Sequence, residues 1–244
     1  GRMDMRKIGG SFVGAGAAGR ADVGDLHQTN LIFHFRADQG ITTATGVSAW
    51  TDIVSGSTVL SQGTTANQPS YDATATVGTL AGAGSMTFDG TNDSLYHADV
   101  KNTGQPIHIF VVFKPLSWVN NQHIFSALGS FIFTARPDDP AYEIQAETGG
   151  IGNTNFDDDE WALGICLFNG SSSSVAKNGG SPLTGNAGTG DMESGFVIGG
   201  NPELPPATQW GNFELAELLI YDAAMTGSDL TDIKTYINDQ YGLW

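Results

Sequence analysis

The sequence predicts an all-β protein: an antiparallel β-sandwich with jelly-roll connections and one short C-terminal helix. Short apolar segments, alternating or continuous, recur along most of the chain and are typical of strands. Turn-forming residues separate them, and 33 glycines among 244 residues supply many reversals. A sandwich of this length folds around one core. We therefore expect roughly a dozen strands and a single folded domain.

The strongest strand predictions lie in three segments. Apolar and polar residues alternate from Asn30 to Ala37, which indicates a strand with one buried face. Ile107 to Phe113 is a longer apolar run that ends at Pro115. Trp161 to Phe168 is apolar almost throughout, as expected for a central strand buried on both faces. We place Trp161 in the core with this strand, and Trp50 with an earlier one.

The helix prediction rests on spacing near the C-terminus. Leu230, Ile233, Tyr236 and Ile237 form one apolar stripe at helical periodicity, and Thr226 or Ser228 can cap the start. We expect this stripe to cover part of the sandwich.

Charge is distributed unevenly along the chain, whose net charge is −16. The first 20 residues carry four basic side chains and one acidic one, whereas the rest carries six basic and 25 acidic ones. An acidic body repels phosphate backbones, so nucleic acid is excluded as a partner. No apolar run is long enough to span a membrane. We interpret residues 1–29, which are rich in Gly and Ala, as a flexible basic arm, and residues 30–244 as the folded domain.

Several motifs occur in a fixed order along residues 30–243. Together they resemble the laminin-G-like branch of the concanavalin A-like lectin/glucanase superfamily. The matching segments are Leu31–Asp38, Val47–Asp52 with its Trp-x-Asp, Asn67–Tyr71 with its Gln-Pro-x-Tyr, Phe88–Leu95 with its Phe-Asp-Gly, Ile107–Lys114, Phe213–Asp222 and Leu230–Leu243. The resemblance implies the sandwich fold. It leaves function open, because lectins, glycosidases, adhesion modules and virion proteins share this fold.

Glycosidase chemistry on this fold needs two carboxylates that face each other across the sugar. The retaining glucanases of the superfamily take them from one strand, as Glu-x-Asp-x-x-Glu or Glu-x-Asp-x-Glu, and this sequence has no such run. The nearest approach is Glu214 and Glu217, which lie three positions apart on a predicted strand and would point to opposite faces. We therefore expect no enzymatic activity.

Calcium is the one cofactor for which the sequence offers candidates, since some members of the resembled family hold Ca²⁺ in edge loops. Asp157 and Asp159 lie in an acidic run and alternate as oxygen ligands would. The alternative interpretation, which we favour, is a solvated acidic loop. Asp89 and Asp93 are second candidates, for which ordinary turn chemistry is the alternative. No other cofactor is indicated.

Carbohydrate recognition requires an aromatic face with amide or carboxylate groups beside it. Two loops offer this combination. Trp118, Asn120, Asn121 and Gln122 follow the end of a strand, and Trp210 ends a loop that contains two prolines. Each Trp has an alternative role as a cover over one end of the core.

We therefore predict a non-catalytic module that binds carbohydrate or a glycan-bearing surface. The alternative is a phage virion subunit, a capsid decoration or tail-associated protein, attached through the arm. A glycoside hydrolase or its accessory domain ranks third. Either leading function implies an extracellular or virion-associated location, and self-association into a homo-oligomer is left open. The arm residues assigned to attachment are Arg6, Lys7, Ile8, Phe12 and Val13.

Overall fold

The computed structural model shows two antiparallel β-sheets packed face to face, with one α-helix on the outer face of one sheet. It describes residue 26 and residues 28–98, 103–128, 131–136, 141–193 and 195–244. The predicted fold class is confirmed. No helix among these residues is long and apolar enough to cross a membrane.

The strands are short and follow one another in a regular series, as the sequence predicted. In chain order they are β1 (Leu31–Arg36), β2 (Ile41–Thr43), β3 (Val47–Thr51), β4 (Val59–Ser61), β5 (Ser70–Asp72), β6 (Ser85–Asp89), β7 (Leu95–His97), β8 (Ile107–Pro115), β9 (His123–Ala127), β10 (Phe131–Ala135), β11 (Ala141–Ala146), β12 (Gly149–Asn155), β13 (Ala162–Phe168), β14 (Ser173–Lys177), β15 (Leu183–Gly185), β16 (Phe196–Ile198) and β17 (Asn212–Tyr221). Helix α1 is Gly227–Tyr241, and short 3-10 turns occupy Thr65–Asn67 and Gly170–Ser172.

Non-sequential neighbours in both sheets produce the jelly-roll connections. Sheet A has the order β15-β14-β13-β8-β17-β6-β5, and β1 pairs with the second half of β17, in line with β6. Sheet B has the order β12-β11-β10-β9-β16-β7-β4-β3-β2. The central strands of sheet A, β8 and β13, are covered on both sides, which explains why their sequences are apolar almost throughout.

The main core lies between the two sheets and is rich in phenylalanine. On β8, Ile107, Ile109, Val111 and Phe113 all face this core and are essentially inaccessible to solvent. Opposing aromatic rings interlock across the interface, as Phe113 and Phe133 do with ring centroids 5.6 Å apart in an edge-to-face arrangement. The interface is thus a close-packed hydrophobic layer of the kind that stabilises sandwiches.

A second core lies between the outer face of sheet A and α1. Ile233, Tyr236, Ile237 and Tyr241 of the helix are buried there against residues of β8, β13 and β17. The predicted apolar stripe is therefore the packing face, with Leu230 at its partly buried edge. The helix is the third layer of the molecule.

The residues of the motifs behind the family resemblance make contacts that hold the strands together. The Trp50 indole N–H donates to the Arg36 carbonyl at 3.0 Å, and the Tyr71 hydroxyl donates to the Ala37 carbonyl at 2.7 Å. Phe88 stacks on Phe213 with a centroid distance of 4.7 Å. These residues are structural, and Trp50 is fully buried as predicted.

Glu217 lies at the centre of a buried polar cluster between β17, β1 and α1. Its carboxylate is within 2.6 Å of His34 Nε2 and accepts hydrogen bonds from the hydroxyls of Tyr241, at 2.5 Å, and Tyr236, at 3.4 Å. Burial opposes ionisation of Glu217, but the bonds from His34 and Tyr241 and the charge of Arg36 outweigh it and lower the pKa of this carboxyl.

The predicted opposite orientation of Glu214 and Glu217 is wrong. The register of β17 against β8 shifts between Leu215 and Glu217, which marks a β-bulge. The extra residue changes the alternation, so both carboxylates lie on the face of sheet A that α1 covers. Glu214 pairs with Lys114 at 2.8 Å. Glu217 is inaccessible to solvent, whereas Glu214 is partly exposed. The two carboxylates therefore lie on the same face of the sheet in different environments.

The expectation that Trp161 belongs to the core also needs correction. Strand β13 begins one residue later, and Trp161 is only partly buried at the margin of the sheet–helix core. Its ring lies under the Lys114 ammonium, 5.5 Å from the ring centroid, in a cation–π contact. A half-exposed ring contributes less to stability than a buried one.

The predicted arm lies almost entirely outside the described residues, and this includes Arg6, Lys7, Ile8, Phe12 and Val13. Leu26 is an exception. It is buried in the sheet–helix core, so this residue of the predicted arm packs with the folded domain.

Replacing Glu217 with Ala should lower the free energy of unfolding by about 3–5 kcal/mol, because the change leaves His34 and two tyrosine hydroxyls buried without their shared acceptor. The matched control is Glu214→Ala on the same strand, which removes an ion pair that keeps some contact with water and should therefore lower the free energy of unfolding by less. Urea unfolding of both variants checks this. Equal losses would contradict the role assigned to Glu217.

Candidate functional site

Three loops meet at one end of the sandwich, which we call the loop end: residues 116–122 between β8 and β9, residues 156–160 before β13, and residues 199–211 between β16 and β17. Backbone hydrogen bonds join them. Leu116 N–H donates to Asn212 at 3.0 Å, and His123 N–H donates to Gln209 at 3.0 Å. Asp159 N–H donates to Pro115 at 2.7 Å. Both predicted Trp-bearing loops therefore lie side by side.

The turn at Asp89–Asp93 adjoins the same end through the Gly90 N–H, which donates to the Gly211 carbonyl at 3.1 Å. Asp89 accepts the Thr91 N–H at 2.8 Å, and Asp93 accepts the Asp89 N–H at 3.1 Å. Burial and the charge of Asp89 raise the pKa of Asp93 to about 6. The two carboxylates thus hold the turn, as the turn-chemistry alternative proposed.

Trp118 is half-buried at the loop end. Its side chain packs against the inter-sheet core, and its backbone N–H donates to the Asp158 carboxylate at 3.2 Å. The indole N–H is buried and has no acceptor among the described residues. Trp118 therefore covers the core and also presents part of its ring to solvent.

The amide side chains beside Trp118 divide into two groups. Asn120 and Asn121 are exposed, and Asn121 has a positive φ of 65° at the tip of the loop. Gln122 is 1% exposed: its side-chain nitrogen donates to the Ser117 carbonyl and to the Tyr142 hydroxyl, and its side-chain oxygen accepts the Asn212 N–H at 2.9 Å. Gln122 therefore links the loops through its hydrogen bonds, and a ligand cannot reach its side chain.

Trp210 lies on the neighbouring loop and is half-buried. The Asn201 side chain organises this loop by accepting the N–H groups of Ala207, at 2.8 Å, and Thr208, at 3.2 Å. The indole ring lies over Gly200, where a Cβ atom would stand 3.1 Å from the nearest ring carbon. The ring position is thus defined by its loop, which is the preorganisation that a stacking residue needs.

The acidic run beside Trp118 is held by Lys177. The Lys177 ammonium lies 3.0 Å from Asp157 and 2.9 Å from Glu160. The hydrogen bond and charge of Lys177 lower the pKa of Asp157. Asp159 has a positive φ of 60° and turns the chain toward β13. Asp157 would have to exchange Lys177 for a metal, and the described residues contain no group of three acidic, His or Cys side chains that could hold one. Calcium binding at Asp157 and Asp159 stays a prediction.

A polar groove of about 350 Å³ lies between α1 and the turn at Asn178–Gly180, with Lys234, Asp239 and Trp244 on its walls. Sequence reasoning missed it, because residues far apart in the chain form it. The one available signal was Trp244 itself, an aromatic residue placed beyond the apolar stripe of the helix. We call this feature the α1 groove.

The loop end carries groups that suit non-covalent recognition. Indole faces, exposed amides and partly exposed carboxylates occur at the loop end, which suits hydrogen bonding and stacking. Cys166 is buried on β13, and burial raises the pKa of its thiol far above the ordinary value, so no thiolate is available there.

Comparison with known proteins shows the fold. No protein-family model and no curated protein sequence matches the chain. Trypanosoma rangeli sialidase, in complex with a difluorinated KDN, matches with a TM-score of 0.60 at 12% identity over 87% of this chain. The chain spans about a third, 33%, of that sialidase.

Two further solved structures align over most of the chain. Domain 4 of AbnA, a GH43 extracellular arabinanase from Geobacillus stearothermophilus in complex with arabinotriose, matches with a TM-score of 0.57 at 15% identity, covering 84% of this chain and 98% of that one. The binding domain of Paraclostridial Mosquitocidal Protein 1 matches with a TM-score of 0.51 at 9% identity, covering 85% and 52%. At these low sequence identities, the similarity to the three structures is one of fold, the two-sheet sandwich.

The protein should be less stable toward unfolding in acid because of His123, which lies beside the loop end. Burial lowers the pKa of this histidine from 6.5 to about 4, and its Nδ1 has no partner among the described residues. The His123 imidazole therefore binds a proton less readily in the folded state than in the unfolded chain. The contribution of neutral His123 to the free energy of unfolding is fully present above pH 6.5. As pH falls from 6.5 toward 4, the unfolded chain takes up the proton first, and the free energy of unfolding decreases by about 1.4 kcal/mol per pH unit.

Urea unfolding of the wild type and of His123→Gln across this range checks the effect. The variant should show the shallower pH dependence. His108, whose pKa burial lowers to about 3, maintains a slope in both proteins. Identical slopes would show that His123 does not contribute.

Proposed function

We propose that this chain is a non-catalytic carbohydrate-binding module of the concanavalin A-like, laminin-G-like kind, and that it binds through the loop end. The convergence of the Trp118 and Trp210 loops carries this proposal. Two indole rings lie on adjacent loops, and Asn120 and Asn121 are exposed on the same loop as Trp118. Sugars are recognised by such a combination, since C–H faces stack on aromatic rings and hydroxyls bond to amides.

The solved structures support the same class of ligand. Domain 4 of the arabinanase corresponds to this chain over nearly its whole length, 98%, and its structure contains arabinotriose. That enzyme is extracellular, which agrees with an extracellular place for this module. We propose an oligosaccharide or the glycan-bearing surface of a partner as its target.

The absence of catalysis is part of the proposal. Hydrolysis needs two carboxylates about 5–9.5 Å apart on either side of a sugar. Glu217 is inaccessible beneath α1, and Glu214 is engaged by Lys114 at 2.8 Å. Asp157 and Glu160 share Lys177. These pairings favour binding without bond cleavage.

The alternative virion function rests on the basic arm, residues 1–29, most of which lies outside the described residues. No observation on the described part of the folded domain favours it. A deletion that tests the arm should stop before Leu26, because that side chain packs in the sheet–helix core.

Trp210→Ala should weaken oligosaccharide binding by about tenfold or more, because the stacking surface is removed. Asn120→Ala should weaken it by a smaller factor through loss of a hydrogen bond. Calorimetric titration with arabinotriose, with and without Ca²⁺, measures both. Leu183→Ala is the control, because Leu183 is 41% exposed on the edge strand β15. Binding by Trp210→Ala equal to wild type would contradict the loop-end site.

The protein should release no reducing sugar from arabinan, β-glucan or alginate, because Glu217 is inaccessible and Glu214, Asp157 and Glu160 are paired with lysines. A reducing-end assay over extended incubation measures this, with an active arabinanase as positive control. Sustained turnover by the purified chain would overturn the non-catalytic assignment.

A further inference from the structure

The α1 groove is a concave surface of mixed polarity, and none of its lining residues belongs to the three loops of the loop end. One wall is the helix, and the other is formed by the turn at Gly179 and by Trp244. Its volume of about 350 Å³ lies in the range of small-molecule sites, about 300–1,000 Å³. The interior pocket between the sheets has no room for water and is a packing defect of the core. The groove is therefore a ligand-sized space on the described part of the chain.

Trp244 is held in a fixed position at the groove. The Asn238 side-chain oxygen accepts the N–H groups of Leu243, at 2.9 Å, and Trp244, at 3.0 Å, and the Asn238 side-chain nitrogen donates to the Trp244 main-chain oxygen at 2.9 Å. The indole lies against Gly179, where a Cβ atom would stand 2.7 Å from the ring nitrogen. The glycine is required so that the ring can lie on the turn.

The ring is nevertheless displayed to solvent. Trp244 is 47% exposed and is the most exposed aromatic side chain among the described residues. An indole that only closed the end of the helix would gain free energy by burial, at about 25 cal/mol per Å² of apolar area. A rigid, exposed ring costs little further entropy when a ligand stacks on it.

Lys234 is an unusual cation in this acidic protein. The described Lys and Arg side chains are Arg36, Lys114, Arg136, Lys177 and Lys234, and the first four all pair with carboxylates. Lys234 donates only to the Gly179 carbonyl, at 3.3 Å, and so retains N–H donors directed to the groove region. An unpaired ammonium beside an exposed indole gives the groove both a donor and a stacking face.

The helix wall supplies the complementary acceptors. Thr231, Thr235 and Asp239 recur every four residues and are exposed along one line of α1. The Thr231 hydroxyl donates to the Gly227 carbonyl at 3.0 Å and leaves its lone pairs available. Asp239 makes no ion pair with a described residue. Lys234 and Asp239 place a donor and an acceptor beside the threonine hydroxyls, which suits a ligand that carries several hydroxyls.

We infer that the α1 groove is a sugar-binding site in which an uncharged sugar ring stacks on Trp244 while its hydroxyls bond to Lys234, Asp239 and the threonines. The inference rests on the proposed carbohydrate-binding function and adds a second site with a defined ligand class. Two separate sites on one module increase retention on a polymeric glycan, since the second contact is intramolecular.

The test uses the indole N–H signal of Trp244 in ¹⁵N NMR spectra of the full chain, assigned with Trp244→Phe. Arabinotriose, xylotriose and maltotriose are titrated separately to about 10 mM, a range suited to weak single-site binding. At least one of them should shift this signal saturably. Sodium sulfate, titrated alone, should leave it unchanged. A shift with sulfate and with none of the sugars would identify an anion site at Lys234 and overturn the inference.

Gly179→Ala should weaken the sugar-dependent shift about tenfold or more, because the added methyl displaces the ring without changing any polar group. Gly63→Ala is the matched control, since a Cβ atom there meets nothing within 4 Å. Asp239→Asn should weaken the same shift. Wild-type sugar affinity in both groove variants would overturn the inference. Thermal melts confirm that each variant is folded.

The two sites are separated by their own variants. Unchanged sugar binding by Trp210→Ala with an intact Trp244 shift would overturn the loop-end site and support the α1 groove. Loss of binding in Trp210→Ala together with no Trp244 shift in the wild type would do the reverse. No binding of any sugar at either site would overturn both proposals.

Discussion

The buried carboxylate of Glu217 is the constraint that joins the layers of this protein. A charge beneath a helix is tolerated only when hydrogen bonds replace its water. Its partners come from the first strand, through His34, and from the last helix, through Tyr236 and Tyr241. The carboxylate thus requires β1, β17 and α1 to assemble together. The β-bulge at Leu215–Glu217 is what points this side chain at the helix.

The same constraint positions the α1 groove. Tyr241 is fixed by Glu217 through its hydroxyl, and its carbonyl accepts the Thr79 N–H at 2.6 Å. Gly242 then adopts the left-handed conformation, with φ of 59°, and ends the helix. The chain turns back along α1, where Asn238 captures the backbone of Trp244. The display of the indole therefore follows from how the helix is held and ended.

The sequence predicted what depends on local pattern. Strand β8, the apolar character of β13 and the packing face of α1 follow from periodicity, and the turn at Asp89–Asp93 follows from its residue types. The bulge in β17 could not be predicted, because alternation assumes a regular strand. The partners of Asp157 and of Gln122 lie 20 and 90 positions away, which no short-range pattern shows. The α1 groove was missed for the same reason, since Gly179 and Lys234 lie 55 positions apart.

Charge pairing gives the surface its functional character. The net charge is −16, and four of the five described cations neutralise nearby carboxylates. A field of this sign repels polyanions and leaves the binding of an uncharged ligand rich in hydroxyls largely unaffected. Stacking and hydrogen bonding are largely independent of this field, whereas ion pairing is not. The two aromatic surfaces, at Trp210 and at Trp244, are therefore the parts of this acidic protein best suited to recognition, and both depend on glycines, Gly200 and Gly179, that let an indole lie against the backbone.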